Sequence, residues 1–89
     1  MILHLGSDYI VPLQDVIAII DAEAVSKSQD TKQFLERKMK DCMFSCCQNE
    51  EIKSYILAKK KNEFCVYASA ISSQTLLKRT CINTALKNW

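Results

Sequence analysis

Apolar positions alternate from the first residue. Met1, Leu3 and Leu5 share one face of an extended segment, and Ile2 and His4 share the other. Gly6-Ser7-Asp8 supplies a turn in which Gly6 can take a positive φ, and Tyr9-Ile10-Val11 returns as a second strand. The first two strands therefore read as a hairpin. Pro12 has no N–H to give a neighbouring strand, so it ends the hairpin or marks an edge. Leu13-Gln14-Asp15 turns the chain. Val16-Ile17-Ala18-Ile19-Ile20 is short and rich in β-branched residues. It reads as a strand buried on both faces, with a short helix as the alternative.

Asp21 to Lys27 reads as a loop. Ser28 is placed to cap a helix over residues 29–42, with Asp30 near its positive end. Its apolar stripe is Thr31, Phe34, Leu35, Met39 and Cys42. Residues 43–51 show no period and read as irregular. Ile52–Ala58 and Phe64–Ala68 read as two strands joined through Lys59-Lys60-Lys61-Asn62-Glu63, with Asn62 the natural turn residue. Ser72 or Ser73 caps a last helix over residues 74–85. Leu76, Leu77, Thr80, Cys81 and Thr84 form its expected buried side. Residues 82–89 are read as a flexible or docking tail ending in Trp89. The sum is a single α+β domain over residues 1–89: small antiparallel sheets of about five strands with two helices.

Length sharpens this. Eighty-nine residues make one domain with a thin core, a size class often helped by self-association. The longest near-apolar run, Val16 to Ile20, is far short of the roughly 20 residues that cross a bilayer. The first twenty residues lack a basic start and are broken by His4, Asp8 and Asp15, so they do not read as a secretory signal. The expected location is the cytoplasm. There the five cysteines, an odd number, are expected as thiols and not as a disulfide framework.

Candidate chemistry is sparse. The one glycine leaves no Gly-rich phosphate loop. Cys42, Cys46 and Cys47 cluster, but zinc usually takes two close ligand pairs, and no second pair follows. Cys65 and Cys81 fall at apolar positions, where a thiol is a small hydrophobe. The single His4 has no nucleophile at a suggestive spacing, and Glu50-Glu51 sits in a polar stretch. No catalytic residue, metal, cofactor or small-molecule substrate is assigned, and the chain is not expected to be an enzyme.

Charge is the stronger signal. The net charge is only +2. Yet residues 1–25 hold Asp8, Asp15, Asp21 and Glu23 with no Lys or Arg, while all twelve basic residues follow. Arg37, Lys38 and Lys40 group on the first helix, Lys53 belongs to the basic-tipped hairpin, and Lys78-Arg79 sits on the second helix. Such residues bind phosphates without reading sequence. The Lys59–Lys61 triplet is as readily explained as protection of a sheet edge. A few phosphate contacts per subunit bind weakly, and a closed homo-oligomer multiplies them.

Two stretches carry a resemblance. His4-Leu5-Gly6, Val11 and Asp15-Val16-Ile17-Ala18-Ile19-Ile20-Asp21 resemble the opening of the RemA/RemB family of extracellular-matrix regulators. Lys53-Ser54-Tyr55-Ile56-Leu57, Tyr67-Ala68-Ser69 and Ile71-Ser72-Ser73-Gln74-Thr75-Leu76-Leu77-Lys78-Arg79 resemble it further, the RemB branch more than the RemA branch. The resemblance implies a ring-forming homo-oligomeric DNA-binding regulator of biofilm-type genes. Lys53, Lys78 and Arg79 would be its phosphate contacts, followed by Arg37, Lys38 and Lys40. Asp15 and Glu50-Glu51 stand where the RemA branch carries basic residues. The alternative is a structural or protein-interaction module that assembles with itself and does not bind DNA.

Overall fold

The computed structural model describes the backbone of residues 1–87 and the side chains of residues 1–80. Strands β1 (Ile2–Gly6) and β2 (Tyr9–Pro12) pair antiparallel, with Leu3 opposite Val11. Both side chains are buried. The turn uses Gly6 at φ +108 and Ser7 at φ 50. A Cβ on Gly6 would stand 3.2 Å from the Cys46 carbonyl oxygen, so strain and crowding both favour glycine there. Leu13–Asp15 forms one turn of 3-10 helix.

Strand β3 (Val16–Asp21) enters a four-stranded sheet of order β3-β5-β6-β4. It is an edge strand packed on both faces, but its residues are half-buried and Ile17 is exposed, so the expected full burial is corrected to partial burial. Val16 pairs with Ala58 and Ala18 with Leu57, leaving Ile17 as an extra residue. That bulge turns Ile17 outward, 51% exposed, while Val16 and Ile19 face one core and Ala18 and Ile20 the other.

Asp21–Lys27, expected as a loop, is mostly a short helix, α1 (Ala22–Lys27). Helix α2 (Gln29–Asp41) follows, and the Ser28 hydroxyl accepts from the Thr31 N–H at 3.4 Å, as the capping pattern predicts. The supposedly irregular stretch contains β4 (Met43–Ser45), which pairs parallel with β6. Strands β5 (Ser54–Lys60) and β6 (Glu63–Ser69) form the long hairpin. Its two turn residues, Lys61 and Asn62, both have positive φ (54 and 83), as a tight twist-matched turn requires. The last helix is α3 (Ser73–Lys87), and the Ser72 hydroxyl accepts from Thr75 N–H at 3.2 Å. The fold class is α+β as expected, with six strands, one parallel pairing and three α-helices among the described residues in place of about five antiparallel strands and two helices. Trp89 and the side chains of the expected tail lie outside the described residues.

The sheet separates two cores. Leu3, Leu5 and Val11 of the hairpin and Leu76 of α3 pack on Ile56 and Ala58. On the other face Val25 and Leu35 pack on Leu57 and Val66. Leu77, expected on the buried side of α3, is 46% exposed. Two buried serines tie the layers. Ser69 Oγ donates to the Leu5 carbonyl at 2.6 Å and accepts from Ile71 N–H at 3.0 Å, while Ser54 Oγ donates to the Ile71 carbonyl at 2.7 Å. These bonds satisfy polar groups that would otherwise be stranded in a dry interior. No helix among the described residues is long and apolar enough to cross a membrane.

Two of the cysteines depart from the expected thiols, and Cys81 lies outside the described side chains. Cys42 and Cys65 are joined as a disulfide, with Cα atoms 4.7 Å apart. Cys46 and Cys47 are thiols.

Candidate nucleic-acid interface

Helix α3 packs against β1 and β3 and is anchored by fully buried Leu76. That anchor leaves Lys78 and Arg79 exposed, one after the other. One guanidinium nitrogen of Arg79, Nη1, donates to the His4 carbonyl at 3.1 Å, which ties the helix to β1. Guanidinium has five N–H donors, so this bond leaves others to reach outward. No Asp or Glu occurs in α3, nor anywhere after Glu63. Its cations therefore lack neutralising neighbours on their own helix.

Lys53 is positioned by main-chain bonds. Its N–H donates to the Ser69 carbonyl at 2.8 Å, and its carbonyl accepts from Ala22 N–H at 3.0 Å. The exposed side chain lines a groove at the sheet end where α1 and α3 begin. Asp21, Glu23 and Glu51 line the same groove. The first turn of α3 contributes the positive end of its dipole there, and the three carboxylates oppose it.

Arg37, Lys38 and Lys40 lie on α2, which packs on the other side of the sheet. The Lys38 ammonium sits 4.3 Å from the Phe64 ring centroid and 5.7 Å from that of Phe34. Lys59 approaches the same Phe64 ring at 5.3 Å. Arg37 and Lys40 are exposed on a helix that also carries Asp30, Glu36 and Asp41. The six expected contacts therefore fall in three places: Lys78 and Arg79 together on α3, Lys53 at the sheet end, and the α2 set on the opposite face.

Sequence reasoning missed the role of Phe64. The signal was available, because a two-residue turn at Lys61-Asn62 sets Lys59 directly opposite Phe64. It also missed Arg79 as a tie to β1, which requires knowing that α3 crosses the first strand.

The titratable groups with displaced pKa values lie away from these cations. Burial, helped by neighbouring Cys47, pushes the Cys46 thiol up to about 11. Burial, then the nearby Glu50 carboxylate, raises Cys47. Burial is also the main cause of a raised Tyr67 phenol, with Cys46, Asp15 and Tyr9 adding to it. All three are held in their neutral forms.

The model of the RemA-like family, described as extracellular matrix regulatory protein A-like, matches residues 2–80. The matched span runs from β1 through Lys78 and Arg79. No curated protein matches the chain.

Proposed function

The chain belongs to the RemA-like family, and from that premise we propose that it is a non-enzymatic, cytoplasmic DNA-binding regulator of the extracellular-matrix type, working as a homo-oligomer. The observation that carries the reading is the exposed Lys78-Arg79 pair on a helix free of carboxylates. Counterion release rewards an uncompensated cation pair at a phosphate backbone. Lys53 is the third contact, reached from the start of the same helix. Arg37, Lys38 and Lys40 are second choices, because acids interleave with them and Lys38 already covers an aromatic ring. Three contacts bind weakly in one subunit, and symmetric copies convert them to useful affinity. The segments Lys53–Leu57 and Ile71–Arg79 favour the RemB branch within the family.

A specific observation favours the second reading, a self-assembling module without DNA. Asp21, Glu23 and Glu51 surround Lys53 and would repel phosphate at that end. Mobility shifts of mixed-sequence duplexes at low salt separate the two. The DNA-binding reading expects a shift with the parent protein and a weakened one with Lys78→Ala/Arg79→Ala. No shift at low salt, where backbone binding is strongest, favours the module.

A further inference from the structure

We propose that the Cys42–Cys65 disulfide is a thiol-exchange site, served by a groove that takes a small anionic thiol. The bond joins the C-terminal cap of α2 to β6, across 23 residues of sequence. Neither cysteine is buried. Both line an open groove of about 420 Å³ with Phe44 and Tyr67 on its apolar side and Lys60, Lys61 and Glu63 at the β5–β6 turn. The two ammonium groups outnumber the one carboxylate. They draw an anionic reductant to the sulfurs.

The neighbouring thiols sharpen the assignment. Cys46 is 3% exposed, and its raised pKa keeps it protonated at neutral pH. Cys47 is raised as well. Attack requires a reachable sulfur and reactive thiolate, so chemistry concentrates at the Cys42–Cys65 pair.

The exchange balances. One thiolate attacks a sulfur of the bond, forms a mixed disulfide and expels the other cysteine as a thiolate. A second thiolate attacks the mixed disulfide, forms the small-molecule disulfide and releases the remaining cysteine. Two thiols are oxidised, the protein bond takes two electrons, and the two protons given up by the thiols end on Cys42 and Cys65. The small-molecule disulfide runs the steps in reverse. Main-chain bonds also join the two elements beside the disulfide: Cys42 N–H donates to the Lys38 carbonyl at 3.2 Å, and Val66 N–H to the Cys42 carbonyl at 3.0 Å. We expect them to hold the fold when the bond is reduced. The site does not depend on whether the chain binds DNA.

The test uses the full chain in buffers of reduced and oxidised glutathione, with alkylation and peptide mass mapping. Tryptic fragments 41–53 and 62–78 carry the two cysteines, and because the first also holds Cys46 and Cys47, fragmentation of the cross-linked pair assigns the bond to Cys42. The proposal expects them to be cross-linked at the oxidising end and separately alkylated at the reducing end, with the circular dichroism spectrum of the fold retained. Cys65→Ser should abolish the cross-link. Lys60→Gln/Lys61→Gln should slow reduction by glutathione several-fold more than reduction by 2-mercaptoethanol, whose only charge is its attacking thiolate. Lys60→Gln alone provides a second reading if the turn tolerates only one change. No cross-link in oxidised glutathione, or reduction only in denaturant, overturns the exchange site. Equal slowing with both thiols, or no slowing with either, overturns the anionic-thiol groove.

Discussion

On one side of the sheet, α2 sets Lys38 over the Phe64 ring and mixes Arg37, Lys38 and Lys40 with Asp30, Glu36 and Asp41. On the other, α3 carries Lys78 and Arg79 with no acid at all. Both helices are basic, but their cations meet different surroundings. An ammonium over an aromatic face already has a favourable site, and a polyanion must compete with that contact. Arg37 stands four residues before Asp41, and Lys40 four after Glu36, spacings that place opposite charges on one stretch of helix. Arg79 also makes a protein contact, but to a neutral carbonyl, which leaves its charge uncompensated. A count of basic residues does not separate these cases. What each cation touches does.

The first way to break the comparison is through the cores beneath the two helices. Leu5 and Leu35 are each fully buried, on opposite faces of one sheet. Leu5→Ala and Leu35→Ala should each cost about 2–5 kcal/mol in urea unfolding. Both should shift a single transition, because β5 and β6 supply side chains to both cores. A biphasic curve for either variant would show that the two faces fold separately.

Ser69→Ala probes how the α3 side is joined. It strips a partner from the Leu5 carbonyl and the Ile71 N–H, and should cost about 1–3 kcal/mol by the same measurement. Lys38→Ala has a smaller effect, about 0.5–1 kcal/mol from the lost ring contact. Lys78→Ala should stay within about 0.5 kcal/mol of the parent in thermal melts. If Lys78 proved as costly as Lys38, it would be a structural cation and the contrast between the helices would fail.

Local rules located much of this architecture. Alternation and the Gly6 turn found the β1–β2 hairpin, Ser28 and the Ser72-Ser73 pair marked two helix starts, and Asn62 marked the long hairpin's turn. The misses share a cause. Strand β4 is three residues long and pairs parallel with a strand about twenty residues away, so no local period announces it. Helix α1 has six residues, too short for an amphipathic pattern to stand out. The exposure of Ile17 depends on a bulge in β3, which composition cannot place. The Cys42–Cys65 bond depends on α2 and β6 meeting in space. The candidate site followed the same division. The residues were named from the sequence, but their separation into three places came only from the packing of α2 and α3 on opposite faces.

The most direct measurement is the salt dependence of duplex affinity, by fluorescence anisotropy, for the parent, Lys78→Ala/Arg79→Ala and Arg37→Ala/Lys40→Ala. Losing the α3 pair should reduce the slope of log K against log salt by about 2 for each engaged subunit, while losing the α2 pair leaves it near the parent value. A slope flattened by the α2 changes and untouched by the α3 changes would contradict the account.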